Sequence, residues 1–521
     1  MKSLFSLASL SLLFVACGSQ YKKAEDSKNT TTQTVNPTTY AETITEAELK
    51  DMLYTYASDE FAGRETGTEG ETKAINYLKA HYMSNNVAAA KGNNDYFQNV
   101  PLEELATPNV TLTANGKALK NLEDIVSITP MPTSKFSASQ VIDLGYGIES
   151  ETYSNYKNVD IKDKVVLIRS GEPKNEDGTY LITGTEEASK WSNFRQEFAT
   201  KRDLAKDKGA KAVLYYNPNV FAMAAMRYGS SSGRMVLSGN DNKMYYILLN
   251  DNAANAILNS NTTIDNTFTN KTINATINID YTNNSKPLKA NNVVAVIEGS
   301  EKPEEYIVIS AHLDHIGIHD GEINNGADDD GSGTVAVLEI AEAFAKAKKD
   351  GHGPKRSIVF LNVTGEEKGL LGSSYYADQD PIFPLSQTVA NLNIDMIGRT
   401  DPKREGDRNY VYLIGSDKLS TDLHNISEEV NTKYSNIELD YTYNDENDPN
   451  RFYYRSDHYN FAKNNIPVIF YFNGTHDDYH RPSDTPDKIE YDLLQNRARL
   501  VFYTAWELAN REQRIIVDKA E

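Results

Sequence analysis

The sequence predicts an α/β protein with a mixed, largely parallel sheet, helices on both sheet faces and an inserted β-rich segment. Three observations predict it. From residue 288 onward, apolar runs such as "NVVAVIEG", "YIVISAH", "RSIVFLNVTG", "VANLNIDMIG" and "IPVIFYFN" alternate with helical patterns such as "TVAVLEIAEAFAKAKK", the mark of strand–helix–strand units. Residues 106–287 differ in texture, being rich in Asn and Thr, with short β-like runs such as "KVVLIRS" and "KAVLYYN" and one helical run, "FRQEFATKRDLAKDKGA". Finally, 521 residues exceed the size at which a single hydrophobic core stops growing.

The elements follow in order. Lys2, the apolar stretch Leu4 to Val15 and the small-residue site Ala16-Cys17 read as a signal peptide over 1–17, too short to span a bilayer comfortably. Cys17 is the only cysteine, which excludes an internal disulfide and a cysteine zinc site. Its context "FVAC" resembles a bacterial lipobox with Phe14 in place of the commoner Leu, so export and a lipid anchor at Cys17 in the bacterial cell envelope are expected. Residues 18–44 form a polar tether. In 45–105, Leu49, Leu53 and Tyr56 can share one helical face, as can Ala74, Tyr77, Leu78 and His81. The insertion occupies 106–287 and the main α/β part 288–521. A net charge of -21 argues against a nucleic-acid or anionic-membrane partner, because both require a basic surface.

The chemistry collects at one edge. Strand "YIVIS" runs into "AHLDH", "SIVFLNVTG" into "EEKG", "VANLNI" into "DMIG" and "IPVIFYFN" into "GTHDDYHRPSDT", so four strands deliver His or carboxylate residues at their carboxyl ends, where open α/β sheets bind ligands. Eight of the nine histidines lie at or beyond His312. Imidazole and carboxylate donors without cysteine point to a catalytic site for zinc, manganese or cobalt. Cations would also make the three adjacent aspartates of "NGADDDGSGT" tolerable, and Ser332 with Gly333 begins the following helix.

With "SAHLDHIG", "NGADDDGSGT", "TGEEKGLLGS", "NIDMIGR" and "DYHRPSDT" in order, residues 310–485 resemble the co-catalytic zinc exopeptidases of metallopeptidase family 28. These include bacterial leucyl aminopeptidases, aminopeptidase Y and glutamate carboxypeptidase II. "SDEFAGRETGTEGETKAINYL" resembles their amino-terminal portion. The resemblance implies a zinc-peptidase α/β/α sandwich holding two zinc ions and acting on peptides. Asp329 would bridge the metals, with His312 and Asp395 completing one site and Glu367 and His480 the other. Asp314 would orient His312, and the Asp329–Asp330 peptide bond would be cis. Glu366 would be the general base acting on a water between the metals, and Tyr453 aligns with a tyrosine that stabilises the oxyanion in some relatives. Residues 106–287, through "IKDKVVLIRSGE" and the helical run, resemble an inserted protease-associated domain.

Several alternatives stay open. By chemistry either His476 or His480 can ligate, although "RPSDT" matches the family at His480; Asp457 and His458 fit a structural hydrogen bond as well as catalysis; His81, His315, His319, His352 and His424 read as surface or core. An aminopeptidase is the first expectation, since a cleft rich in carboxylates attracts an ammonium group. A carboxypeptidase or dipeptidase is the second, with Arg399, Arg451, Arg455 and Arg481 near the motifs. An inactive surface-anchored binding lipoprotein and a single-zinc glutaminyl-cyclase-like transferase complete the set, although no ligand of the five is missing.

Overall fold

The computed structural model describes residues 35–229, 233–238, 243–259 and 271–519. The expected signal peptide, Cys17 and most of the tether lie outside the described residues. Two units are distinguished, Met1–Asn36 and Pro37–Glu521.

The larger sheet has ten strands. Its order is Glu438–Asp440, Tyr410–Ile414, Val468–Phe472, Thr388–Ile394, Lys302–His312, Arg356–Val363, Lys286–Ile297, Phe97–Leu105 and Arg234–Leu237, with Ala88–Ala89 also pairing on Lys286–Ile297. The four central strands, Arg356–Val363, Lys302–His312, Thr388–Ile394 and Val468–Phe472, are mutually parallel. Every residue of Arg356–Val363 is buried, as a near-continuous apolar run between two helical layers requires. Successive side chains alternate between the layers: Phe360 packs against Phe344 and Tyr82, while Val359 and Leu361 join Tyr376 and Phe461. Helices Gly333–Lys349 and Tyr491–Asn510 therefore cover one face, and Leu371–Asp378 and His458–Ala462 the other.

A second sheet of eight strands is drawn from residues 109–282. The same alternation gives it two cores, Val165, Leu167 and Leu214 on one face and Val166, Ile168 and Val213 on the other. The expected helical run folds as Glu197–Asp207, and helices Pro218–Gly229 and Asp251–Leu258 join it.

The structure departs from the expected organisation in three places. Arg234–Leu237 lies inside 106–287 yet pairs with Phe97–Leu105, covering the edge of the larger sheet. The tether does not extend to residue 44, because Tyr40, Ala41 and Ile44 are buried and Tyr40 stacks on Trp506. In helix Glu69–Ser84 the buried apolar residues are Ala74, Ile75, Leu78 and Tyr82, so Tyr77 and His81 sit at the margin of the expected face. Helix Glu46–Tyr56 buries Leu49, Leu53 and Tyr56 as its spacing requires. No described helix is long and apolar enough to cross a membrane.

Candidate metal centre and active site

The four central parallel strands end side by side, and their carboxyl ends carry the donors. His312 closes its strand; Asp395 follows Ile394; Glu366 and Glu367 follow Val363 by three and four residues; His480 lies in the turns after Phe472. Asp329 enters from the segment ahead of helix Gly333–Lys349. Its two oxygens face different partners: Oδ1 lies 3.1 Å from His312 Nε2, and Oδ2 lies 3.1 Å from His480 Nε2. His312 Nε2 is also 3.7 Å from Asp395 Oδ1, and His480 Nε2 is 3.1 Å from Glu367 Oε2. All five residues proposed as ligands from sequence thus meet, divided into two sets by one carboxylate.

The donor set fits cations better than it fits hydrogen bonding. His312 Nε2, Asp329 Oδ2 and Glu367 Oε1 are buried and have no hydrogen-bond partner, an arrangement rare in folded proteins unless an ion or water completes it. The groups His312, Asp329, Asp395 and His315, Asp329, Glu367 each bring three donor atoms within 4.8 Å of one another. His315, read from sequence as surface or core, is fully buried, and its Nδ1 lies 2.8 Å from Glu367 Oε1.

The three adjacent aspartates have three different tasks. Asp330 accepts main-chain hydrogen bonds from His312 (3.2 Å), Gly333 (3.0 Å) and Met396 (3.0 Å), tying three elements together. It, not Ser332, caps the first N–H of helix Gly333–Lys349, and a Cβ on Gly333 would stand 2.4 Å from its carboxylate. Asp328 Oδ1 accepts from Gly398 N (2.7 Å), and its Oδ2 lies 3.2 Å from His476 Nε2. That contact occupies His476 away from the two donor sets. Asp484 accepts from the main-chain N–H groups of Asp328 and Asp329. The Asp329–Asp330 peptide bond is cis.

Supporting contacts aim the remaining donors. Ser456 donates to Asp395 Oδ2 (2.6 Å), leaving Oδ1 toward His312. Asn391, Asn393 and Asp395 alternate along one strand and so share a face; Asn393 holds Ser456 at 2.9 Å. The expected role of Asp314 needs correction. His312 Nδ1 lies 3.0 Å from the main-chain oxygen of Asp314 but 4.0 Å from its carboxylate. That carboxylate instead accepts from Thr66 Oγ1 (2.8 Å) and from Glu366 N (3.1 Å), so it fixes the Glu366 backbone.

Glu366, Asp329 and Asp395 line a cleft with Met396, Phe452, Arg455, Phe470, Phe472, Thr475 and Tyr479. Desolvation raises the Glu366 carboxyl well above its ordinary value; neighbouring Glu367, Asp395 and Asp457 add to the shift and His312 opposes it. Burial likewise lifts Asp457 to about 7 and Asp484 to about 6. Asp457 accepts from Ser373, and His458 stacks on Phe470 at 4.7 Å.

Tyr453 does not reach the cleft. Its ring packs on Gly415 and His458 and borders a separate hollow with Lys418 and Asp448. Tyr479 is the phenol beside the donors: it stacks on His480 at 3.9 Å, and burial, then the charges of Asp329, Glu367, Asp395 and Glu366, push its pKa far up, so it keeps its proton. Sequence reasoning missed Tyr479 although it precedes His480 directly, and missed Arg64, Thr66 and Glu71 of the amino-terminal "GRETGTEGE". Arg64 is buried and donates to the carbonyls of Leu313, Asn325 and Gly326. Glu71 accepts from Thr364 Oγ1 at 2.5 Å, just before Gly365 and the two glutamates.

With this geometry in place, residues 292–505 match the family model described as Peptidase family M28. That match covers less than half of the chain. A 119-residue stretch, 23% of the chain, is 35% identical to a probable glutamate carboxypeptidase of Arabidopsis thaliana, of which it covers 16%. A probable zinc metalloprotease of Leptosphaeria maculans is 34% identical over 125 residues, 23% of the chain and 27% of that protein. The chain thus matches well under two thirds of the length of these relatives. Among solved structures, an aminopeptidase from Aneurinibacillus sp. strain AM-1 aligns over 93% of this chain and 99% of its own at 20% identity, with a TM-score of 0.46. The matched region contains every donor of both sets, whereas Arg64, Thr66 and Glu71 lie before it.

Proposed function

We propose that the protein is a two-zinc exopeptidase that removes residues from the amino terminus of peptides. The carrying observation is Asp329, whose two oxygens face two separate donor sets beside the carboxylate of Glu366. His312, Asp395 and Asp329 would hold one ion and Asp329, Glu367 and His480 the other; when bound, the pair supplies polarisation of the scissile carbonyl and a water of lowered pKa.

The chain's own groups do the rest. Glu366 projects into the cleft while Glu367 turns to the donors, so Glu366 can take a proton from the attacking water and return it to the leaving amine. Asp314, anchored by Thr66, fixes the backbone from which Glu366 projects. The phenol of Tyr479 retains its proton and can donate to the carbonyl oxygen as that oxygen gains charge. Phe452, Phe470 and Phe472 contribute apolar rings to the cleft lining. A substrate ammonium group beside Glu366 would favour the ionised form of that residue, which supports the aminopeptidase reading.

One observation favours a second reading. Of the four arginines near the motifs, Arg399 pairs with Asp478, whereas Arg455 lines the cleft, where it could meet a substrate carboxylate as in a carboxypeptidase or dipeptidase. Export as a lipoprotein anchored at Cys17, and a protease-associated role for the 109–282 sheet in limiting substrate size, belong to the same proposal and rest on the sequence motifs.

The test is hydrolysis of short peptides with free or acetylated amino termini and free or amidated carboxyl termini, with and without a chelator. Chelator-sensitive cleavage that needs the free amine is expected. A need for the free carboxylate would replace the aminopeptidase reading with the second one. No cleavage by protein loaded with two metals would refute both.

A further inference from the structure

We propose that His315 Nδ1 is a fourth protein donor at the second metal position, which would then hold Asp329, Glu367, His480 and His315. The first position keeps only His312, Asp395 and Asp329. This inference rests on the two-metal reading above and deepens it, because it makes the two positions chemically unequal.

Distance is the first support. Zinc binds nitrogen and oxygen donors at about 2.0 to 2.2 Å, so two donors on one ion stand about 3.0 to 3.4 Å apart at right or tetrahedral angles. His315 Nδ1 lies 2.8 Å from Glu367 Oε1 and 3.8 Å from Asp329 Oδ2. His480 Nε2 lies 3.1 Å from each of the same two carboxylates. These spacings bracket what one shared ion demands, and small shifts on binding would even them out.

Direction is the second support. At 2.8 Å, His315 and Glu367 are close enough for a hydrogen bond, yet neither His315 Nδ1 nor Glu367 Oε1 has a partner of acceptable geometry, and His315 Nε2 has none either. Buried polar atoms are satisfied in the great majority of cases. A buried nitrogen and oxygen side by side, not aimed at one another, are instead arranged as donors converge on a third body. Asp329 Oδ2, also without a partner, belongs to the same group.

The ring's seat is the third support. His315 lies on the main-chain oxygen of Arg64 through its own N–H at 3.4 Å. Gly326, at a φ of +54°, leaves the space the imidazole fills: a Cβ there would stand 2.5 Å from Cγ and Cδ2 of His315. The first contact fixes the backbone and the second seats the ring, whereas His480, whose side chain is 36% exposed, approaches from the open side with its ring 5.7 Å away. The second position would thus have four protein donors, one imidazole buried and one half-exposed. The first has three protein donors, the number typical of catalytic zinc sites that keep a place for water or substrate.

The test uses the whole protein loaded with Co(II), with metal content measured first. Imidazoles bound to Co(II) show strongly shifted, solvent-exchangeable N–H proton signals. The wild-type protein is expected to bind two ions and to show a shifted signal from the protected Nε2–H of His315, absent in His315→Gln. The variant should also lose one ion at least about tenfold more readily by equilibrium dialysis, while the other ion and the far-ultraviolet circular dichroism are unchanged. If His315→Gln does not fold, the wild-type spectrum still decides. Uniform isotope labelling of histidine assigns three metal-bound imidazoles if the inference holds and two if it fails. Two bound ions with only two bound imidazoles would overturn the role of His315 and leave the two-metal reading standing. Failure to bind two ions would overturn both.

Discussion

Replacing Arg64 with alanine should loosen both loops that bring donors to the metal centre. The guanidinium is 1% exposed and makes four hydrogen bonds to main-chain oxygens: Nε to Leu313 (3.2 Å), Nη1 to Tyr56 (3.2 Å) and Asn325 (2.7 Å), and Nη2 to Gly326 (2.9 Å). Leu313 lies between His312 and Asp314, and Gly326 three residues before Asp329, so one side chain fastens both donor segments. Hydrogen bonds from a charged donor contribute at least about 1.5 kcal/mol each, and four of them, less the relief of no longer burying a cation, give a loss on the order of 4 kcal/mol. At 1.4 kcal/mol per tenfold, local opening should become roughly a thousandfold more frequent. Amide hydrogen exchange read by mass spectrometry on peptides covering 310–332 measures this directly, with peptides from strands Val165–Arg169 and Ala212–Tyr216 as the unaffected reference. Arg64→Lys should fall between, because a single ammonium cannot span four oxygens presented to a planar fork. Exchange within threefold of wild type in Arg64→Ala would refute the fastening role.

Four further outcomes are expected. Glu366→Gln should retain both metals yet lower turnover by about 10²- to 10⁴-fold, and an unchanged kcat with full metal content would remove Glu366 from its role. Tyr479→Phe should reduce kcat by about 10²-fold with little change in KM, as loss of one oxyanion donor does; a change confined to KM would make it a binding residue. Asp329→Ala should lose metal from both positions by elemental analysis, and retention of two ions would refute bridging. Burial raises Glu71 from 4.5 to about 7, so the folded state holds a proton that the unfolded chain releases. Its contribution to stability is complete below pH 4.5 and is lost as pH rises to 7, and Glu71→Gln should therefore flatten the fall in stability across that window by up to about 3 kcal/mol in urea unfolding.

The central sheet was legible because its strands are continuous apolar runs bounded by the donors they deliver. "YIVISAH" and "VANLNID" state both the strand and its chemical end, and period-two alternation explains why Asn391, Asn393 and Asp395 line one face. Spacing alone could not separate His476 from His480. The difference is tertiary: Asp328, far away in sequence, draws His476 to itself at 3.2 Å. The same limit applied to Tyr453 and Tyr479, since the first matches a position used in some relatives while the fold turns it toward Gly415. His315 carries a signal in the sequence, a second histidine in "HLDH". Strand residues alternate, but beyond His312 the chain turns, and only the three-dimensional path brings His315 back under Glu367. The exit of Arg234–Leu237 from its own sheet had no local sign at all, because an edge strand reads the same whichever edge it covers.

The aspartate run shows why a local rule of repulsion fails here. Three adjacent carboxylates in water would repel, and buried without partners each would be neutralised by protonation. Asp330 has instead exchanged water for three main-chain N–H groups, Asp328 for a main-chain N–H and the His476 ring, and only Asp329 keeps an oxygen without a hydrogen-bond partner. The outer two thus act as hydrogen-bonding anchors, and they hold the middle one between His312 and His480, whose imidazoles lie 3.1 Å from its two oxygens. Desolvation raises Asp330 and Asp484, the groups that crowd this run, well above their ordinary values. Cations at the two donor sets would relieve both burdens together, which is why the same residues that look electrostatically overloaded by themselves make sense as half of a charge-balanced metal centre.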